Sequence, residues 1–362
     1  MTKLKVILIL VACLSGVSTV WAQVSLTKGG SGADEFELVK SGKAAKLYYD
    51  IRDFEVIKKS AHLFSNDVRL VTDREIAVSE AVEEMSSNCI IVGTLGHNEL
   101  IDKLILKKKL DVSTLKDKWE SFHIEVVRNP FPGVKKALVV VGSDRRGTAY
   151  GLFSISESIG VSPWYWWADA PVAKRKELCL KVQKMTSEEP TVKYRGIFIN
   201  DEDWGLLRWA KTNFEKERGN IGPKTYAKVC ELLLRLKANY LCPAMHEAST
   251  AFNKIPENKL VADSFAIVMG SVHCEPLLFN NASEWDKKTM GDWDYVNNKE
   301  MLDRVLRQRV VDNSPYENVY TLALRGLHDK AMGGSSDMKE RVKLLGDALN
   351  AQRQLLVDVI KK

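Results

Sequence analysis

The sequence contains no Cys-x-x-Cys pair and no His-x-His or HExxH run. After its N-terminal stretch it has no second apolar run long enough to cross a membrane. The first two absences remove the usual zinc signatures; the third removes a multi-span membrane protein. Positive charge is not concentrated either. A formal +6 is spread along 362 residues, so the electrostatic footprint of a nucleic-acid binder is missing. Glycine and proline stay at 22 and 10, and 45% of residues are apolar against 28% charged, which excludes collagen, disordered, coiled-coil and disulfide-scaffold classes.

The N-terminus is what a targeting segment looks like. Lys3 and Lys5 precede an apolar run from Val6 to Val20, and Val20-Trp21-Ala22 closes it before Gln23. A basic start, an apolar middle and a small terminal residue predict a secretory signal over 1–22, and hence a secreted or periplasmic protein. Leu10-Val11-Ala12-Cys13 offers an alternative, a lipoprotein processed at Cys13, which would be the only link to a membrane. Once Cys13 is removed, Cys89, Cys179, Cys230, Cys242 and Cys274 remain, an odd number that reads as small buried apolar residues rather than disulfides.

Residues 23–188 mix strands and helices and read as an N-terminal α/β domain. Cys89–Val92, Phe122–Val127 and Ala137–Val141 are strand-like, with Asn129-Pro130 and Pro132-Gly133 as turns between the last two. Asp144 is placed to cap a helix over Thr148–Ile159, with Gly160 at its end. Gly142-x-x-x-x-Gly147-Thr148 has the glycines of a phosphate loop without its lysine, so helix capping and close packing are the better explanation.

Beyond the polar stretch Thr186–Pro190 the rhythm becomes regular. Strands are expected at Tyr194–Asn200, Tyr240–Met245, Ala266–Val272 and Val319–Leu324. Helices are expected at Pro223–Asn239, Lys259–Phe265, Lys299–Val311 and Asp337–Ile360. Strands that are apolar throughout and alternate with helices predict a parallel sheet, either doubly wound or a (β/α)8 TIM barrel. A closed barrel needs eight units and typically about 250 residues. Residues 189–362 supply four units, so the expectation is an incomplete barrel with strand edges and apolar helix faces left uncovered.

Each strand ends in polar residues: Asn200-Asp201-Glu202-Asp203-Trp204, His246-Glu247, His273-Cys274-Glu275 and Arg325 to Asp329 with His328. Ligand sites of parallel α/β folds form at these carboxyl ends. Tryptophans add to the pattern. Trp164, Trp166 and Trp167 close the first domain, and Trp204, Trp209, Trp285 and Trp293 lie in the loops after the first and third strands, suited to stacking on sugar rings. For Trp166 and Trp167, packing between domains is an equal alternative. Two chemistries fit the rim: a metal hydrolase using His246, His273 and a carboxylate, or a glycosidase using two carboxyls. The missing metal motif favours the second.

The runs Tyr194–Gly205, Ile221–Tyr226, Leu232–Asn239 and Gly270–Pro276, with Gly142–Gly151 and Ser162–Trp167 before them, resemble glycoside hydrolase family 115. The resemblance extends over nearly all of the chain after the leader. It implies an α/β domain followed by a (β/α)8 barrel, here the first half of one. It also implies xylan α-1,2-glucuronidase activity that removes glucuronic acid or its 4-O-methyl form with inversion, without a cofactor and without a metal. Asp201 and Asp329 are then the catalytic candidates. Asn200, Trp204, His246, Glu247, His273, Glu275 and Arg325 are the substrate-binding candidates, with Arg325 suited to the sugar carboxylate. The family's catalytic acid falls on a glutamate of the following strand, beyond Lys362. The implied partner is glucuronoxylan or its oligosaccharides; self-association is left open. Two alternatives remain: a sugar-binding fragment without catalysis, and a glycosidase of another family with similar domain order.

Overall fold

The computed structural model describes residues 24–29, 32–80, 85–200, 202–272, 274–333 and 336–360. The leader over 1–22, Cys13 and the site candidates Asp201 and His273 lie outside them. The described chain is a mixed α/β structure with three sheets.

The N-terminal part builds two of them. Strands β1 (Val24–Thr27), β2 (Glu35–Lys40), β3 (Lys43–Ala44) and β9 (Leu178–Val182) form an antiparallel sheet in the order β1-β9-β2-β3. Strands β4 (Lys46–Tyr48), β5 (Val78–Ser79), β6 (Asn88–Thr94), β7 (Phe122–Arg128), β8 (Lys136–Gly142) and β10 (Met185–Thr186) form the second, ordered β10-β7-β8-β6-β4-β5. Its centre is parallel, and β7 and β10 are antiparallel. Ile90, Ile91, Val92 and Val139 to Val141 are fully buried, because helices and loops cover both faces of the central strands.

Helix α1 (Glu55–Thr72) buries Ile57, Ala61, Phe64, Val68 and Val71, the i, i+3/i+4 stripe of an amphipathic helix, and ends at Asp73 in the left-handed region. A shorter helix, α2 (Glu99–Leu106), covers the other face of the second sheet, capped by Asn98. Helix α3 (Arg145–Ser158) starts where the Asp144 carboxylate accepts the N–H groups of Arg146 and Gly147, as expected, and Gly160 follows it at φ +101. A Cβ built on Gly147 would stand 2.1 Å from the Ser121 carbonyl oxygen. The glycine is therefore needed for close packing of helix on strand, which accounts for this motif without a phosphate.

The third sheet is parallel throughout: β11 (Gly196–Phe198), β12 (Tyr240–Cys242) and β13 (Val268–Met269). Helix α4 (Pro223–Arg235) joins the first two strands and α5 (Pro256–Ser264) the next two; both begin with proline, whose missing N–H costs nothing in a first turn. Helices α6 (Lys299–Asn313) and α7 (Met338–Ile360) follow, and Asp337 accepts the Glu340 N–H at the start of α7.

The expected strand Val319–Leu324 does not form a ladder. A single parallel bridge joins Met269 to Asn318, and Thr321 exchanges bonds with Ser271 and Leu277. At Ala323 the buried Gln352 side chain of α7 accepts the backbone N–H and donates to the carbonyl oxygen. A side-chain amide takes the place of a neighbouring strand, which is why the extended stretch is not sheet.

One hydrophobic cluster runs from Phe36, Phe64 and Leu138 through α3 to Tyr226, Leu233 and Leu241, so the first two sheets and the third share a core. An ion network crosses the same boundary. Arg235 of α4 makes two 2.8 Å hydrogen bonds to the Asp67 carboxylate of α1 and one of 2.9 Å to Glu231. Its guanidinium lies 4.7 Å from the ring centres of both Phe153 and Tyr165, and the Tyr165 hydroxyl donates to Glu231. Trp166, Trp167, Trp209 and Phe214 pack against one another beside α4.

Candidate functional site

The parallel strands point their carboxyl ends toward one rim, where Asp203, His246, Arg325, His328 and Asp329 lie. After β11, Glu202 turns inward and is 1% exposed. Its Oε1 accepts the His246 backbone N–H at 2.6 Å and the Ser249 hydroxyl at 2.8 Å. Its Oε2 has no hydrogen-bond partner among the described residues and stands 3.9 Å from His246 Nδ1. The loops after β11 and β12 are thus tied together by one buried carboxylate. Asp203 takes His246 Nδ1 at 3.0 Å, and this bond is the main cause that lowers the Asp203 carboxyl below its ordinary range.

His246 bridges to the far side of the rim: its ring lies 5.8 Å from that of His328, edge toward face. His328 Nδ1 is 3.3 Å from one Asp329 oxygen, and Arg325 Nη2 is 3.1 Å from the other. His328 adopts a left-handed backbone at φ +52, secured by the buried Asn281, which accepts the His328 N–H and donates to the Gly326 carbonyl. The Trp293 indole holds the Arg325 carbonyl. A cavity of about 380 Å³ opens here, lined by Glu247, Ala282, Leu327, His328, Asp329 and Lys330. Three larger hollows, of about 860, 890 and 440 Å³, lie elsewhere. The first sits at the amino ends of the parallel strands, around Lys193, Asn239 and Val268. Size alone would select one of these; the chemistry of the strand ends selects the smaller.

The other candidates are placed less uniformly. Asn200 and Glu247 are exposed, and Trp204 is 79% exposed. Glu275 is 4% exposed and lies below the rim rather than on it. Burial, then Glu284, with Glu202 adding, pushes its carboxyl up to about 8, against a hydrogen bond from Asn280. Glu284 is itself engaged by Arg309. Trp285 and Trp293 pack on Phe279, and Trp209 joins the cluster beside α4, so Trp204 is the loop indole left facing outward. Glu202 and His328 were visible in sequence as members of polar runs. What marks them, depth for one and a left-handed backbone for the other, has no sequence signal beyond those runs.

Among the described residues no group of three or more His, Cys, Asp or Glu side chains could hold a metal ion, and no helix is long and apolar enough to cross a membrane. All five described cysteines are free and buried.

Residues 187–362 match the model of glycosyl hydrolase family 115. Among solved structures the chain is similar to BtGH115A, described as a family GH115 4-O-methyl-α-glucuronidase with specificity for decorated arabinogalactans. The identity is 37% and the TM-score 0.78, over 90% of this chain and 41% of that one. It is loosely similar to CpGH84D, with 11% identity and a TM-score of 0.45 over 91% of this chain and 47% of that one. The same holds for a GH20 exo β-N-acetylglucosaminidase from Vibrio harveyi, with 10% identity and a TM-score of 0.43 over 92% and 52%. No curated protein matches. The family model and the similarity to BtGH115A put the chain in the glycoside hydrolase class. The family model and the 37% identity agree on the narrower assignment: the chain belongs to glycoside hydrolase family 115, and it spans 41% of the length of the GH115 enzyme it matches.

Proposed function

We propose that this chain carries part of the catalytic machinery of a secreted α-glucuronidase that removes glucuronic acid, or its 4-O-methyl form, from a plant polysaccharide. The observation that carries the reading is the convergence of Asp203, His246, Arg325, His328 and Asp329 at the strand ends, in a chain 37% identical to a GH115 4-O-methyl-α-glucuronidase. The parallel sheet is read as the first half of a (β/α)8 barrel, starting near residue 189. Ile197 and Phe198 of the edge strand β11 are 39% and 41% exposed, and Met338, Val342 and Val357 of α7 are exposed as well, surfaces that further βα units would cover.

In an inverting reaction one carboxyl protonates the leaving oxygen while a second, roughly 6.5–9.5 Å away, activates water. Asp329 has the Arg325 guanidinium near one oxygen and the His328 imidazole near the other, surroundings that favour the ionised form a general base requires. Asp201 is the second candidate within this chain, and Arg325 is placed to meet the sugar carboxylate. The polymer is read as glucuronoxylan. The relative's specificity for decorated arabinogalactans favours a second reading, the same cleavage on an arabinogalactan side chain.

The full-length gene product should be assayed on glucuronoxylan and on a glucuronate-decorated arabinogalactan. Free uronic acid from the first supports the leading reading, and from the second alone the other. Release from neither, with binding seen by calorimetry, would leave a sugar-binding role in place of a catalytic one. Mass analysis of the mature N-terminus checks secretion: a start at Gln23 fits a cleaved leader, and a lipid-bearing Cys13 fits an anchor.

A further inference from the structure

Asp329 is 62% exposed in its side chain, and a carboxylate so open to water would ordinarily sample many orientations. Here it does not stand alone. Arg325 meets one oxygen from one turn back, and His328, the preceding residue, meets the other. Adjacent side chains normally diverge. His328 can reach back because its backbone is left-handed, a conformation that costs a residue with a Cβ free energy and persists only where the surroundings enforce it. The enforcing group is Asn281, 1% exposed, which grips the His328 N–H and the Gly326 carbonyl together. The His246 ring stands against the imidazole from the loop after β12, across the rim, and His246 is itself held by Asp203.

We propose that His328 is a positioning residue: clamped by Asn281 and braced by His246, it holds the Asp329 carboxylate in place and ionised for its work as general base. The proposal rests on the reading of Asp329 given above. The charged and titratable groups around this pair are Arg325 and Lys330 from the same turn, His246 and Glu247 from the loop after β12, and Cys274 after β13. Removing the imidazole takes away a donor that favours the ionised carboxylate. Asp329 then protonates at higher pH, and the acidic limb of the rate profile moves up.

The test uses the full-length gene product with His328→Asn, since asparagine tolerates the left-handed backbone while lacking the imidazole. The expected result is a kcat lower by on the order of tenfold, a KM little changed, and an acidic limb of kcat/KM raised by roughly half to one pH unit. Asn281→Ala, which frees the His328 N–H, should move the limb the same way and decides the matter if His328→Asn does not fold. Limbs and kcat equal to the parent's in the folded variants would overturn the proposal while leaving the function intact. Full activity in Asp329→Asn would overturn the reading of Asp329, and this inference with it.

Discussion

Replacing Arg235 by alanine should destabilise the protein far more than any surface change. The guanidinium is 2% exposed and Asp67 fully buried, so the pair has exchanged all of its hydration for two hydrogen bonds to each other and one to Glu231. Burial works against the charge on Arg235, and Asp67 together with Glu231 more than offsets it, holding the guanidinium protonated. Alanine would strip the buried Asp67 carboxylate of its cation, leave Glu231 with Lys228 and the Tyr165 hydroxyl alone, and empty the space between Phe153 and Tyr165. Breaking a buried pair from one side costs about 3–5 kcal/mol. At roughly 2 °C per kcal/mol for a chain of this size, that is a fall in Tm of roughly 6–10 °C. Urea titration followed by tryptophan fluorescence and by circular dichroism would measure it. The triple variant Asp67→Leu, Glu231→Gln, Arg235→Met supplies the contrast. With no charge left to strand, it should recover most of the loss, because apolar replacements of buried ion networks are often neutral or stabilising. The reasoning is refuted if Arg235→Ala costs less than about 1 kcal/mol, or if the triple variant is no more stable than the single one.

Two further outcomes can be checked. The folded Glu275 carboxyl titrates at about 8 against an ordinary 4.5, so it favours folding below pH 4.5 and loses that contribution as pH rises toward 8; Glu275→Gln should flatten this decline and be the more stable form at pH 9, by up to a few kcal/mol in chemical denaturation. Gly147→Ala should lower Tm by several degrees in calorimetry, since its Cβ would enter the Ser121 carbonyl and backbone must move to admit it; an unchanged Tm would show that the helix shifts freely.

Periodicity found the long helices because their apolar stripes are repeated over several turns, as in α4 with Tyr226, Val229, Cys230 and Leu233 buried. It overstated the strands. β12 was expected over Tyr240–Met245 and pairs over Tyr240–Cys242; Ala244 and Met245 are buried without belonging to the ladder, and burial is what composition reports. Val319–Leu324 failed for the reason given by Gln352, a polar residue on a helix far along the chain. The rim was legible as chemistry, since acids and histidines after apolar strands are conspicuous. Its depth was not. Glu202 and Asp203 are neighbours in sequence, yet one is sealed against Ser249 and the other is partly open. Which of two adjacent carboxylates turns inward depends on the loop after β12, which no local pattern encodes.

The core shared between the first two sheets and α4 bears on how this protein can be divided. A cut at the polar stretch before Pro190 looks harmless in sequence, but it would strip Asp67 of its cation and bare the α1 and α3 side chains that meet α4. The N-terminal part therefore serves as the foundation of the parallel sheet. Attempts to transplant the strand-end residues onto a shorter scaffold, or to exchange the N-terminal part between relatives, should carry Asp67, Phe153, Tyr165, Glu231 and Arg235 together as one inherited set.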